Sequence, residues 1–303
     1  MTSDKVVITC ALTGVLTDPA RFNVPVTPQE MADAAQQARD QGASVLHTHF
    51  RSQQPGSGAL PTWDPGEVGA ILAAIRQRVP DMLICMSTGI VGKDISGPVE
   101  CLRRFRPELA ACNAGSLNYL KIRKNGAWAW PPMLFDNPVR KVKAFLDVMR
   151  ECEVAPEFEC FDLGIVRSVG MYLANGMFEG TPNVSFVMGV ESGMPARTDL
   201  LPFLLDELPP KSRWQVIATG AGHQDIWALH RTAAERGGNL RTGLEDTFYL
   251  PNGDRARDNG QLVEALSRIA IQTGREPATP AEAREILALG APTRQPGDRA
   301  VQV

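Results

Sequence analysis

Two histidines stand one residue apart at the end of an apolar run, in the segment "VLHTHFR" at residues 45–51. His47 and His49 are two of only four histidines in the chain of 303 residues. In a β-strand both side chains would point to the same face, because successive side chains alternate. Two imidazoles at one strand end can bind one metal ion, with a third ligand from elsewhere and open positions for a substrate. The alternative is a pair of structural histidines in a polar loop.

An arginine and an acidic pair occur at the last apolar run, "NLRTGL" at 239–244, and just after it. Arg241 cannot lose its proton, so inside a fold it would need a carboxylate partner, for which Asp246 and Glu159 are candidates. Glu245 is the candidate for the third metal ligand, since carboxylates complete many histidine sites. A purely structural ion pair of Arg241 is the alternative.

Short apolar runs alternate with amphipathic segments along the chain. This alternation predicts a (β/α)8 TIM barrel that forms a single domain over residues 1–303, with an extra C-terminal helix in "TPAEAREILALG" (279–290). A doubly wound sheet is the alternative, although no G-x-G-x-x-G follows the first run. The predicted strands are "KVVITCAL" (5–12), "ASVLHTHF" (43–50), "DMLICMS" (81–87), "LAACNA" (109–114), "APEFECFD" (155–162), "NVSFVMGV" (183–190), "RWQVIA" (213–218) and "NLRTGL" (239–244).

The helix starts carry local signals. Thr27 is a predicted N-cap, followed by Pro28 at the first helical position and Glu30 at the third. Further helices are predicted to begin at Asp64-Pro65, at Asn137-Pro138 and at Asp225.

The active site of a barrel lies where its strands end and the following loops begin. Polar residues from six predicted strands should therefore meet at one end. Ser87, Thr88 and Gly89 could hold an anion there or form an ordinary turn. His223, in the glycine-rich segment "TGAGHQD" (219–225), could touch substrate, and the backbone of that loop could bind phosphate. His230 falls within a predicted helix and is interpreted as structural.

The composition excludes several classes of protein. There are 31 basic and 34 acidic residues, a net charge of −3, and no basic stripe that would indicate nucleic-acid binding. No apolar run approaches the ~20 residues of a membrane span, and the N-terminal segment does not resemble a signal peptide. The 6 cysteines contain no C-x-x-C pair, which favours a reducing compartment. These features predict a cytoplasmic protein.

Several segments together resemble the β-keto acid cleavage enzymes: "ITCALTG", "GASVLHTHFR", "STG", "PEFECFD", "GHQ" and above all "GGNLRTGLED". The resemblance extends from residue 5 to about residue 287. It implies a (β/α)8 barrel with a divalent metal, usually zinc. It also implies that a β-keto acid and acetyl-CoA are converted into acetoacetate and a new CoA thioester by a homotetramer or higher homo-oligomer.

The resemblance also assigns roles to residues. It implies that the metal ligands are His47, His49 and Glu245. Asp246 would be the general base, positioned by Arg241 and Glu159. The substrate carboxylate would be bound by Ser87, Thr88 and Gly89, with further polar substrate contacts from Ser116 and Asn118.

Two positions depart from the family pattern. Ser52 replaces the usual aspartate after H-x-H-x-R. Leu16 stands where the amino-substrate enzyme has an acidic residue, although a slip of one residue would place Val15 or Thr17 there. Leu16 predicts a β-keto acid with an uncharged, apolar chain. A metal-dependent hydrolase, a CoA-independent aldolase or lyase on the same barrel, and a non-catalytic barrel are the alternatives.

Overall fold

The computed structural model describes residues 4–290. Eight parallel strands close into a barrel in the order β7-β8-β1-β2-β3-β4-β5-β6, with β6 paired to β7. The predicted TIM barrel is confirmed, and the doubly wound alternative is wrong. The strands are β1 (Ile8–Ala11), β2 (Val45–Thr48), β3 (Leu83–Met86), β4 (Leu109–Asn113), β5 (Ala155–Cys160), β6 (Asn183–Met188), β7 (Arg213–Ala218) and β8 (Asn239–Thr242).

Helices surround the barrel and connect its strands. Two of them begin as predicted: Thr27 and Glu30 form a capping box at α1, and the Asp64 side chain caps α2. The helices are α1 (Pro28–Asp40), α2 (Pro65–Arg78), α3 (Ser96–Phe105), α4 (Val139–Glu151), α5 (Leu163–Ala174), α6 (Leu201–Asp206), α7 (His223–Glu235), α8 (Asn259–Gln272) and α9 (Pro280–Ile286).

Two predicted helix starts are wrong by one or two residues. The N-cap of α4 is Pro138, not Asn137, whose backbone N–H donates instead to the Ser116 hydroxyl at 2.8 Å. Helix α7 begins at His223, with Gly222 as N-cap, so that Asp225 lies in its first turn. Acidic residues are common both at the N-cap and in the first turn, where the carboxylate interacts favourably with the helix dipole. Asp225 was therefore mistaken for the start of the helix.

The C-terminal helix α9 closes the amino end of the barrel. Its start is fixed by a capping box of Thr279 and Glu282. Ala283 and Leu287 pack against the residues at or just before the starts of the barrel strands, Val7, Val45, Leu83 and Leu109. Access to the barrel is therefore from its carboxyl end.

Alternate strand residues face the interior, where several are polar. The Thr9 hydroxyl donates to Gln215 at 3.2 Å, and the Gln215 amide donates to the Ser185 hydroxyl at 2.9 Å. These bonds satisfy buried polar groups in the middle of the barrel.

The connection between β4 and α4 contains an additional antiparallel pair of strands, Leu117–Tyr119 and Met133–Phe135. We call residues 117–135 the β4–α4 hairpin. Because it follows the carboxyl end of β4, it lies on the open face of the barrel.

Candidate active site

Two histidines and a glutamate meet at the open end of the barrel. The Nε2 atoms of His47 and His49 lie 3.6 and 3.5 Å from Oε1 of Glu245, and the three groups could hold a metal ion. Among residues 4–290, neither ring nitrogen of His47 has a hydrogen-bond partner, nor does the buried Oε2 of Glu245. Buried polar atoms without partners are costly unless something binds them. The residues therefore fit a divalent metal, with nitrogen and oxygen ligands of the kind zinc accepts.

Strand pairing positions the two histidines. In the parallel register His47 lies between Ala11 of β1 and Cys85 of β3, and His49 follows two residues later on the same face. Strand β8 pairs with β1 and so brings Glu245 to the same end of the barrel.

The acidic pair lies on a turn after β8, not on the strand itself, which ends at Thr242. Gly243 has φ +149°, and a Cβ there would lie 2.1 Å from the backbone oxygen of Ala11, so any side chain would displace the turn from β1. The buried Asn259 of α8 holds the turn by accepting from Leu244 N–H at 2.9 Å and donating to Leu12 O at 3.0 Å.

The guanidinium of Arg241 contacts three carboxylates. It bonds both oxygens of Asp246, with Nε–Oδ2 at 3.1 Å and Nη2–Oδ1 at 3.2 Å. It also reaches Glu245 at 2.7 Å and Glu159 at 3.4 Å. Arg241 is 1% exposed. The planar guanidinium therefore fixes the positions of the carboxylates relative to one another.

Burial and this arginine set the protonation states of the site. Burial lowers the pKa of His47 well below its usual value, and the charge of Arg241 adds to the effect, so the ring is neutral and able to bind a metal. Burial alone would raise the pKa of Glu245, but His49 and the charge of Arg241 hold it well below its usual range. Burial raises the pKa of Asp246 to about 6 against the opposing effect of Arg241. Burial likewise raises the pKa of Glu159 to about 7.

A second buried group of side chains, which was not identified from the sequence, lies deeper in the barrel. A ring nitrogen of His47, Sγ of Cys85 and a carboxylate oxygen of Glu157 all lie within 4.8 Å of one another. The Cys85 thiol donates to Oε2 of Glu157 at 3.7 Å. No local signal in the sequence could have indicated this group, because it depends on the register between strands.

Arg51 was also missed as an individual residue, although it is the arginine of the H-x-H-x-R motif. It is 1% exposed and fastens two loops of the open face. Its guanidinium donates to the Thr13 hydroxyl at 2.9 Å, to Thr17 O at 2.9 Å and to Gly58 O at 3.1 Å. The loops after β1 and β2 are thereby joined beside the histidines.

The proposed carboxylate-binding segment lies at the end of β3. Ser87 and Thr88 are buried. The Ser87 hydroxyl accepts from Gly89 N–H at 3.3 Å, and the Thr88 hydroxyl donates to Ala111 O at 2.5 Å. This turn is held against β4 and presents Ser87 on the same interior face as Cys85.

The other predicted contact residues lie apart from the charged cluster. Ser116 accepts from Asn137, Asn118 is exposed on the β4–α4 hairpin, and the Leu16 side chain is 80% exposed. Within residues 4–290, no hydrogen bond or ion pair joins any of them to the cluster. Ser52 bonds within its own loop, through the Ser57 hydroxyl at 2.8 Å.

The remaining two histidines have different surroundings. His223 begins α7, and its ring lies beside Gly253 in the loop after β8. His230 is buried in α7 against Trp227, with ring centroids 5.7 Å apart. This buried position agrees with the structural interpretation, although in the described part of the chain its ring nitrogens have no hydrogen-bond partner.

A closed (β/α)8 barrel with a charged cluster at the carboxyl ends of its strands defines a TIM-barrel enzyme. The family model described as beta-keto acid cleavage enzyme matches residues 5–289, and the chain belongs to this family. None of the helices in residues 4–290 combines the length and apolar character of a membrane span.

Two curated relatives and one solved structure illustrate the similarity. The chain is 34% identical over 289 residues to a 3-keto-5-aminohexanoate cleavage enzyme of Fusobacterium nucleatum, covering 94% of this chain and 98% of the relative. It is 32% identical over 295 residues to a 3-oxoadipate:acetyl-CoA acetyltransferase of Cupriavidus necator, covering 93% and 94%. The binary complex of ObcA with oxaloacetate superposes with a TM-score of 0.66 at 20% identity, covering 88% of this chain and 68% of the other. This last match supports the fold.

Proposed function

We propose that this enzyme is a metal-dependent acyltransferase that condenses a β-keto acid with acetyl-CoA and releases acetoacetate and a new acyl-CoA. The observation that carries the proposal is the buried cluster of His47, His49 and Glu245 beside the pair of Arg241 and Asp246. The relatives support it, because one is named for cleavage of a keto acid and another as an acetyltransferase with 3-oxoadipate and acetyl-CoA as its two substrates.

His47, His49 and Glu245 would hold the metal, for which zinc is the proposed identity. When bound, a divalent ion would polarise the ketone of the substrate and stabilise negative charge that develops on its oxygen. The ligand set leaves coordination positions open, as a catalytic site requires.

Asp246 is the proposed general base. Arg241 holds both of its oxygens, and its pKa of about 6 leaves it mostly ionised at neutral pH while keeping it able to return a proton. Glu159 contacts the same guanidinium at 3.4 Å and helps to fix its orientation.

The bond changes balance without any further reactant. Asp246 takes a proton from C2 of the β-keto acid, and this carbon attacks the thioester carbonyl of acetyl-CoA, which releases the CoA thiolate. The thiolate then adds to the original ketone, and the bond between that carbonyl and C2 breaks. The departing carbanion recovers the proton from Asp246 and leaves as acetoacetate.

The residues that contact the substrate outside the metal cluster are proposed to set the substrate preference of the enzyme. Ser87, Thr88 and Gly89 are proposed to hold its carboxylate, with Ser116 and Asn118 as outer polar contacts. Leu16, on the loop after β1, is proposed to face the distal chain when substrate is bound. A leucine cannot stabilise an ammonium group there, whereas an apolar chain gains ~0.8 kcal/mol for each buried CH₂. We therefore propose an uncharged apolar chain, as in 3-oxopentanoate or 3-oxohexanoate.

The partners would be these two small molecules and further copies of the chain in a homotetramer or higher homo-oligomer. All 6 cysteines are free and buried, which supports a reducing, cytoplasmic setting.

The test is product identification by mass spectrometry after incubation of a panel of β-keto acids with and without acetyl-CoA. Acetoacetate and a new acyl-CoA that form only with acetyl-CoA, and only in metal-loaded protein, would support the proposal. Cleavage without acetyl-CoA would instead identify a hydrolase or a CoA-independent lyase. Freshly purified protein that contains no metal, and that turns over no substrate even after metal is added, would favour a non-catalytic barrel.

A further inference from the structure

The β4–α4 hairpin is unusually basic for this protein. It carries Lys121, Arg123 and Lys124 and contains no acidic residue, although the whole chain has a net charge of −3. Lys121 lies 3.9 Å from Glu191, but within residues 4–290 no ion pair joins Arg123 or Lys124 to a carboxylate. The hairpin is thus a local positive patch on an acidic molecule.

The hairpin stands on the face that contains the charged cluster. It begins at Leu117, just after the carboxyl end of β4 at Asn113. Two bonds join it to the loop after β6: Leu120 N–H donates to the Ser192 hydroxyl at 3.1 Å, and Ile122 N–H donates to Glu191 at 2.9 Å. A ligand on the hairpin could therefore extend into the barrel mouth.

Aromatic rings are interleaved with the cations. Trp128 is 47% exposed. Trp130 stacks on Tyr119 with ring centroids 5.7 Å apart, and the Lys121 ammonium lies 5.9 Å from the Trp130 ring. Arg123 donates to Ala129 O at 2.9 Å, which ties the two arms together near the tip. Exposed indole beside free cations is suited to a purine ring and its phosphates.

We propose that the β4–α4 hairpin binds the adenine nucleotide end of acetyl-CoA. This rests on the proposed function, which requires the thioester to reach the charged cluster. The barrel interior is filled with side chains, so the bulky nucleotide must lie on the loops of the open face. Of these loops, the hairpin offers both cations for the phosphates and an exposed indole for the adenine ring.

The experiment compares acetyl-CoA with acetyl-pantetheine, which has the same thioester but lacks the nucleotide. We expect the triple variant Lys121→Ala, Arg123→Ala and Lys124→Ala to raise KM for acetyl-CoA by about 10-fold or more, and Trp128→Ala to raise it by about 10-fold. KM for acetyl-pantetheine and kcat for both should stay within about 2-fold of the wild type. At high salt the KM for acetyl-CoA of the triple variant should differ less from that of the wild type, because salt screens exposed charges.

A matched control removes three cations from the outer helices α3 and α4, through Arg103→Ala, Lys143→Ala and Arg150→Ala. All three are exposed and pair with surface carboxylates, so KM for acetyl-CoA should not change. Equal changes for both thioesters, or no change in the hairpin variants, would overturn the proposal. A changed molar mass in light scattering together with equal changes for both thioesters would identify the hairpin as an interface between copies. If the wild type uses neither thioester, the proposed function itself fails.

A different observation, inside the barrel, carries a second inference about the metal site. The Nε2 atom of His47 is the one that faces Glu245, so in the neutral ring bound through Nε2 the proton must sit on Nδ1. Within the described residues that nitrogen has no hydrogen-bond partner, and neither has Oε1 of Glu157. The two residues offer ligand atoms within 4.8 Å of each other.

We infer that Glu157 is a positioning residue that, once the metal is bound, accepts the Nδ1–H of His47 and so directs Nε2 toward the metal. Histidines that bind metals commonly donate their other ring N–H to a carboxylate in this way. Cys85 already donates to Oε2 of Glu157, which leaves Oε1 available. This inference also rests on the proposed metal site.

The readout is metal binding rather than turnover. Glu157→Gln should raise the dissociation constant for zinc, measured against a competing chelator, by about 10-fold. It should also shift the visible absorption of the Co²⁺-substituted protein. Glu157→Asp should have a smaller effect in the same direction. Cys85→Ala, the control, should stay within about 3-fold.

Unchanged zinc affinity and an unchanged Co²⁺ spectrum in a folded Glu157→Gln variant would refute the inference. Loss of a thiolate-to-Co²⁺ band in Cys85→Ala would also refute it, because Cys85 and Glu157 would then be ligands. A wild type that binds no metal would contradict the proposed function instead.

Discussion

Replacing Arg241 by methionine would remove a cation that contacts all three carboxylates of the site. The guanidinium lies 3.1 and 3.2 Å from the oxygens of Asp246, 2.7 Å from Glu245 and 3.4 Å from Glu159. Methionine fills a similar volume but offers no hydrogen-bond donor. Arg241→Met therefore isolates the electrostatic contribution.

The free-energy cost of losing the arginine would differ among the three carboxylates. The side chain of Asp246 is 4% exposed, whereas those of Glu245 and Glu159 are 18% and 13% exposed and can gain water. The main cost is thus an unpaired buried carboxylate at Asp246. Removal of one partner from a buried ion pair typically costs about 3–5 kcal/mol, a large part of the 5–15 kcal/mol that stabilises a typical domain.

The assay is urea unfolding of metal-free protein at pH 7, with Arg241→Met, Asp246→Asn and the double variant in one thermodynamic cycle. We expect the double variant to recover at least half of the stability lost in Arg241→Met, because the orphaned charge is gone. Without the arginine, burial should raise the folded-state pKa of Asp246 further. A raised folded pKa means that stability is lost as pH rises, so the deficit should be larger at pH 8 than at pH 6.

Arg268→Met is the matched control, because Arg268 pairs with Glu264 on α8 and its side chain is 70% exposed. Its loss should cost no more than about 0.5 kcal/mol. A cost below about 1 kcal/mol for Arg241→Met, or a double variant no more stable than that single variant, would refute the idea that Arg241 compensates buried charge.

Three further predictions concern catalysis, acid stability and specificity. Asp246→Asn should keep its metal but lower kcat by at least about 10²–10⁴-fold; near-normal turnover would make Glu159 the better candidate for the base. Burial lowers the pKa of His230 to about 4 from 6.5, so the unfolded chain binds a proton more tightly and the stability present above pH 6.5 is lost as pH falls. In urea unfolding, His230 should lower the free energy of unfolding of the wild type by about 2 kcal/mol between pH 7 and pH 5, and this contribution should be absent in His230→Leu. Leu16→Glu should move the preference from alkyl β-keto acids toward 3-keto-5-aminohexanoate, and equal kcat/KM for amino and alkyl substrates in the wild type would contradict the proposed role of Leu16.

Much of the architecture could be read from local features of the chain. Apolar runs of strand length alternate with segments that begin with recognisable caps, such as Thr27 with Glu30, and each cap depends only on residues within one turn. The two histidines share a face because strand periodicity is local, and the barrel rule then places His49 and Glu245 at one end. The eight strands follow from such short-range regularities, and the candidate metal cluster follows from them only together with the barrel rule.

Other features depended on which strands pair and in what register. The group formed by His47, Cys85 and Glu157 brings together three strands, and no local pattern specifies their relative heights. The same holds for Arg51, whose hydrogen-bond partners belong to two different loops. It also holds for Asn137, whose backbone N–H donates to the Ser116 hydroxyl, so that the residue does not cap α4. The tertiary structure decided these contacts because buried polar groups must find partners wherever the closed barrel places them.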